Sequence, residues 1–178
     1  MKLLLHPGYF LNIANFVAIA KNDICWETSG NFQKQTYRNR CYIATDIGRH
    51  LMNIPIQHVG GRQGRQRYKD VKVDNFYQWQ RQHWRTLETA YRTSPFFEFY
   101  EDDLVGLYTT EHNFLLDFNL KSIEAICNCL QIPMPEESTS EFEKEPIDFV
   151  DARFLINVTT NPPLVQEPYV QVFNDRNP

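Results

Sequence analysis

The sequence predicts an α/β fold: a single domain over residues 1–178, with a mostly parallel sheet flanked by helices, a C-terminal helical region and a mobile acidic loop. Three observations predict it. The first 26 residues read strand, turn, helix, strand, the order of a βαβ unit, which requires parallel strands. Phe76, Trp79, His83, Leu87 and Ala90 step by three and four and draw one apolar stripe along a helix. The chain is 42% hydrophobic and 14% aromatic, enough to bury a core without a disulfide or metal staple.

Taken in order, Lys2 to Leu5 reads as a buried strand and Pro7-Gly8 as a turn. Phe10, Ile13, Ala14, Val17 and Ala20 place a helix between Tyr9 and Lys21, and Ile24 to Trp26 is the second strand. Cys41 to Ala44 and Leu51 to Val59 read as further strands, the latter made irregular by Pro55. Gly60 to Arg67 is a flexible basic loop, and Val71 and Val73 alternate with charged residues as in a half-buried strand. Helices are expected from Asn75 to Arg92, ended by Ser94-Pro95, from Phe96 to Tyr108, and from an Asn119 cap to Leu130. Five glutamates and three prolines make Pro133 to Asp148 an exposed, mobile loop. Phe154 to Val158 and Tyr169 to Phe173 read as closing strands.

Several classes are disfavoured. No apolar run reaches the roughly 20 residues of a membrane span, and the opening leucines stop at His6-Pro7, too soon for an export signal, so a cytoplasmic chain is expected. Cys25, Cys41, Cys127 and Cys129 lack a zinc spacing and read as reduced thiols; the five histidines show no paired ligand spacing, so no metal is expected. No dinucleotide fingerprint, P-loop or nucleophile elbow is present, and no cofactor is implied.

Charge is unevenly spread. Gln33 to Arg92 carries 12 Lys/Arg against 4 Asp/Glu, whereas Thr93 to Pro178 carries 4 against 16. The basic stretch either attracts a small anionic substrate, such as a sugar nucleotide, or packs against the acidic half. The net charge of −4 and the lack of a recognition motif weigh against nucleic acid.

The densest chemistry is QKQTYRNRC, Gln33 to Cys41. Lys34, Arg38 and Arg40 supply cations, and Tyr37 and Asn39 supply hydrogen-bonding groups; in an extended chain Arg38 and Arg40 share one face and suit a carboxylate or phosphate. Arg81 and Arg85 lie off the apolar helix stripe and join this site if their face turns towards it. His6, beyond the first strand, is a candidate acid or base, or a turn residue; in open α/β sheets ligands bind at that end of the strands. Glu27, just past the second strand, pairs with an arginine or acts as a base. His83, on the apolar stripe, is either a buried neutral histidine or an acid–base group.

Several segments together resemble the WbqC-like family. They are Pro7-x-Tyr9 with Phe16, Ile19-Ala20 and Asp23; the whole of Gln33 to Cys41; Trp79, His83, Tyr91 and Ser94-Pro95-Phe96-Phe97; Leu116-Asp117-Phe118-Asn119; and Tyr169-x-Gln171-Val172-Phe173. The sequence departs from the family pattern in lacking Gln between His6 and Pro7, in having Asn12-Ile13 for Pro-Trp, and in following Glu27 with Thr28-Ser29. The resemblance implies a C-terminally shortened form of a protein of surface-polysaccharide (O-antigen) biosynthesis. It further implies a transferase-type enzyme acting on a nucleotide-linked amino sugar or an activated acyl donor. The alternative is a non-catalytic ligand-binding or assembly protein of the same pathway.

Overall fold

A computed structural model describes residues 2–57, 65–159 and 168–176. Strands β1 (Lys2–Leu5) and β2 (Ile24–Trp26) are parallel and joined through helix α1 (Ile13–Lys21), as the βαβ reading requires. Leu4, Leu5 and Trp26 are buried, so hydrophobic burial on both sides stabilises these short strands. Helix α1 begins four residues later than predicted. Phe10 adopts a left-handed φ of 38°, which no helix tolerates, and the Asn12 side chain then caps the helix by accepting from Asn15 N.

An antiparallel hairpin follows, β3 (Arg40–Thr45) with β4 (Gly48–Asn53), turning through Asp46-Ile47 into Gly48 at φ 114°. Beyond β4 the expected strand does not continue; Ile56 and Val73 meet only as an isolated bridge, as do Lys72 and Phe114. Val71 and Val73 are nonetheless buried, so their alternation reported burial and not a ladder. Of the expected loop from Gly60 to Arg67, residues 60–64 lie outside the described residues, as do His58 and Val59.

Helix α2 (Trp79–Tyr91) buries Trp79, His83 and Leu87 as the stripe predicts. Its first turn is different: Asn75–Tyr77 is a 3-10 helix capped by Asp74, and Gln78 is left-handed, which swings Phe76 into solvent. Helix α3 (Phe97–Thr109) packs on α2 and on α4 (Leu115–Leu130). Asn119 is not the cap of α4. The helix starts four residues earlier, and Asn119 is buried inside it, donating to Arg38 O and to the Tyr68 hydroxyl.

The third strand, β5 (Phe149–Asp151), completes a parallel sheet in the order β2-β1-β5, pairing Lys2 with Phe149 and Leu4 with Asp151. It lies ahead of the predicted one, because the apolar Phe154 to Val158 stretch instead forms a 3-10 helix (Arg153–Ile156) that puts Leu155 and Ile156 into the core. The acidic segment is exposed, as expected, but it is held in place. Glu137 O accepts from Trp26 N, Thr139 N donates to Trp26 O, and the Trp26 indole donates to Pro135 O at 2.8 Å. Tyr169 to Phe173 forms no ladder; Phe173 packs against the Tyr91 ring.

Two apolar clusters make the core. One gathers Tyr9, Trp79, Leu87, Tyr108, Leu115 and Phe118 between the helices and the hairpin. The other gathers Leu5, Ile19, Trp26, Ile123, Leu155 and Ile156 around the parallel sheet. Leu120 of α4 packs against both. All four cysteines are free thiols, and among the described residues no helix is long and apolar enough to cross a membrane.

Gly8 sits where the chain passes from β1 to Tyr9. A Cβ there would lie 2.6 Å from Leu11 Cδ2, 2.7 Å from Ile156 Cδ1 and 2.9 Å from the Tyr37 carbonyl oxygen. The carbonyl is held by Tyr9 N at 2.8 Å and cannot withdraw freely. Gly8→Ala is therefore expected to cost about 1–3 kcal/mol, read as a lower midpoint in urea denaturation at unchanged slope.

Candidate functional site

The carboxyl ends of β1 and β2 carry His6 and Glu27, each one residue past its strand. Glu27 N donates to Leu5 O, extending the ladder by one rung and placing the two side chains together. His6 Nδ1 lies 3.1 Å from Glu27 O. A carbonyl only accepts, so the His6 proton sits on Nδ1 and Nε2 keeps its lone pair. Burial and the neighbouring Arg38 charge push the His6 pKa down to about 3, so the ring is neutral at physiological pH.

Glu27 is 1% exposed. Its Oε1 accepts from Ser29 N at 2.8 Å, Gly30 N at 3.0 Å and Thr139 Oγ1 at 3.2 Å. Its Oε2 has no hydrogen-bond partner and lies 3.9 Å from Arg153 Nη1. One oxygen is thus saturated by the turn that follows β2 and by the acidic segment, while the other is buried, faces Arg153 and accepts no hydrogen bond.

Arg38 is also 1% exposed, a rare place for a guanidinium. Its Nη1 donates to Thr36 Oγ1 at 3.3 Å, and its plane lies over the Tyr68 ring at 5.5 Å. Its Nε is buried without a partner. Burial lowers its pKa, and the fields of Tyr68 and Glu27 oppose that shift. Arg153 completes the cluster. It pairs with Asp151 through Nε and Nη2, at 2.8 and 2.7 Å, and donates to the Glu143 and Lys144 carbonyls. The charges of Arg38, Arg153 and Asp151 all bear on the His6 imidazole.

Sequence reasoning missed Arg153 and Asp151 because it placed the third strand too late, missed Tyr68 because nothing local marks it, and took Asn119 for a helix cap because its type favours that position. A correctly placed β5 would have put Asp151 and Arg153 at the same sheet edge as His6 and Glu27.

The basic motif is divided. Residues 33–39 are turns, not a strand; Gln35 is left-handed at φ 63°, and the alternation that would pair Arg38 with Arg40 does not apply. Arg38 turns inward to the His6 cluster, whereas Lys34, Asn39 and Arg40 line a separate cavity with Gln35 and Asp74. Tyr37 lines a third, aromatic cavity with Tyr42. Arg81 and Arg85 are exposed on α2, on the opposite side of the helix from its buried stripe.

His83 belongs to the aromatic core. It is hydrogen-bonded to the Tyr9 hydroxyl at 2.9 Å, which is in turn 2.9 Å from the Tyr108 hydroxyl, and it packs edge-on to Trp79. Burial lowers its pKa to about 4.

A cavity of about 270 Å³ opens beside Glu27, lined by Glu137, Glu141, Glu143, Cys25 and Phe149 among others. It is acidic, although the motif nearest in sequence is basic. Lys2 pairs with Glu137; Glu141 and Glu143 form no ion pair among the described residues.

Fold and site together define a parallel α/β protein with a buried His–Glu–Arg cluster at the carboxyl edge of its sheet. The chain belongs to the WbqC-like protein family, which it matches over residues 6–160, a span that takes in every member of the cluster. It is 29% identical over 137 residues to the uncharacterized protein Rv1507c of Mycobacterium tuberculosis, covering 76% of this chain and 56% of that protein. The chain therefore spans about half the length of the curated relative it matches. No solved structure matches it.

Of the three buried histidines, His6 and His83 titrate in the folded state well below the ordinary value near 6.5, and burial lowers His112 as well. Between about pH 6.5 and pH 4 the unfolded chain binds more protons than the native one, so stability falls as pH falls through that window. The melting temperature is expected to drop from pH 7 to pH 4.5, and the drop to be smaller in His83→Asn. An identical pH profile in that variant would show that His83 is not held neutral.

Proposed function

We propose that the chain is a transferase-type enzyme that acylates a primary amine, with a nucleotide-linked amino sugar as the acceptor class. One observation carries the reading. Glu27, with one oxygen saturated and the other facing Arg153 without a hydrogen bond, lines an acidic cavity and is backed by His6 and Arg38. An acidic cavity attracts an ammonium group, and a carboxylate at its wall removes the proton that keeps the nitrogen from attacking. The amine nitrogen then forms a bond to the acyl carbon of an activated donor. The bond from that carbon to the donor's leaving group breaks, the proton held by Glu27 passes to the leaving group, and the second proton on the acylated nitrogen is lost to solvent, which leaves a neutral amide. Arg38 and Arg153 stand behind the cavity wall and supply positive charge to the Glu27 carboxylate. At about 270 Å³ the cavity is matched to a single sugar ring and not to a whole nucleotide.

A second reading, a non-catalytic ligand-binding or assembly protein of the same pathway, draws on the near-complete burial of His6, Glu27 and Arg38, which leaves little room for a donor.

Thermal-shift measurements with amino-sugar nucleotides and their N-acetylated counterparts test both. The amine-bearing compounds are expected to stabilise the protein, by about 2.7 kcal/mol at 100 times their Kd, and the acetylated ones are not. Glu27→Gln is expected to abolish that preference and to lower turnover with an acyl donor by about 10²- to 10⁴-fold. Equal stabilisation by acetylated compounds would overturn the amine assignment. Amine binding without turnover by any thioester or aminoacyl donor would establish the binding-protein reading.

A further inference from the structure

The cavity on the other side of the QKQTYRNRC turn is independent of the Glu27 site, and its walls are unusual. It measures about 510 Å³ and is lined by Lys34, Asn39, Arg40 and Asp74, with Phe32 and Tyr77 as aromatic walls. Asn39 is 7% exposed. Its amide nitrogen donates to Asn53 Oδ1 at 3.1 Å and to Ile54 O at 3.2 Å, which uses both of its hydrogens. Its Oδ1 remains buried with no donor, and flipping the amide would only exchange one unmet group for two. Arg40 Nε is likewise buried and unpartnered. Neither Lys34 nor Arg40 forms an ion pair among the described residues, while Asp74 is occupied in capping Phe76 N at 3.1 Å.

Leaving a buried acceptor and a buried guanidinium N–H unmet costs stability in the empty protein. Two unpaired cations beside them attract an anion, and Arg40 offers the fork geometry that matches a phosphate. The bare Asn39 oxygen calls for a hydroxyl or amide donor on the same molecule. The Tyr77 ring, 59% exposed at the rim, offers a face for an apolar or ring surface. The Tyr68 ring, against which Phe32 packs at 6.2 Å, carries Arg38 over its face, so Arg38 serves its own cluster.

We infer that this cavity is a binding site for a phosphate ester bearing hydroxyl groups, a sugar phosphate or nucleotide, with Lys34 and Arg40 on the phosphate and Asn39 Oδ1 accepting from a hydroxyl. The site stands whether or not Glu27 is catalytic.

Calorimetric titration of the full chain with glucose 1-phosphate, UDP, inorganic phosphate and glucose tests it, with amide chemical-shift mapping to locate the contact. Glucose 1-phosphate or UDP is expected to bind saturably and to shift the amides of residues 34, 35, 39, 40 and 53. Inorganic phosphate should bind more weakly and glucose not at all. Lys34→Gln, at an exposed position that leaves folding intact, and Arg40→Gln are each expected to weaken binding by at least about tenfold, the loss of one charge-assisted contact. Arg81→Gln and Glu27→Gln should leave it unchanged. Absence of saturable binding by either phosphate ester would overturn the inference. So would an equal loss in Arg81→Gln, or shifts confined to residues around His6 and Glu27. Absence of any amine preference in the unaltered protein, with this binding retained, would count against the Glu27 reading alone.

Discussion

The structure depends on keeping one guanidinium, that of Arg38, inside a small protein. Taking such an ion out of water costs several kcal/mol, and the cost is offset only when partners are set around it in good geometry. Those partners come from four separate stretches of chain. Thr36 supplies a hydroxyl, Tyr68 an aromatic face, and Glu27 an opposing charge, while Asn119 of α4 holds the Arg38 carbonyl. Tyr68 is itself tied to Pro7 O at 3.0 Å, directly beside His6. The parallel sheet, the turn after β1 and the middle of α4 are thereby locked to one another through one side chain. A buried guanidinium is a poor device for stability alone. Its unpartnered Nε, together with Glu27 Oε2, is what marks this region as more than a structural tie.

Two of the three buried histidines, His6 and His83, show how environment assigns different parts to one residue type. Both are neutral, and burial is the leading cause in each. His83 is enclosed by Trp79, Tyr9 and Tyr108, and its hydrogen bond joins an aromatic core that is otherwise apolar. His6 stands among charges, with Arg38, Arg153 and Asp151 all acting on it. Of the two, only His6 lies at the edge of a parallel sheet, where strand ends leave space for chemistry.

Much of the framework was legible in the chain. The βαβ unit, the stripe of α2 and the boundaries of α3 follow from local periodicity, because burial of one face imposes its period on the sequence. Where the reading slipped, an unusual backbone was responsible. Phe10 and Gln78 are left-handed without being glycine, and each resets the start of a helix. Phe154 to Ile156 is as apolar as any strand, yet the sheet edge was already taken by Phe149 to Asp151. The acidic segment looked mobile by composition; its backbone bonds to Trp26 hold it beside β2.

By itself the sequence determined the α/β class, the parallel order of the first two strands and the residue types available for chemistry, since these rest on local pattern and on composition. It also marked His6 and Glu27 as strand-end residues. Only the tertiary structure decided which of the motif's cations act together. Seven consecutive residues that read as one basic strip turn through left-handed Gln35, send Arg38 inward and leave Lys34 and Arg40 on a different cavity. It decided as well that Arg153, more than a hundred residues away in the chain, meets Glu27. Contacts of that kind depend on how strands are ordered in the sheet, and no local period records that order.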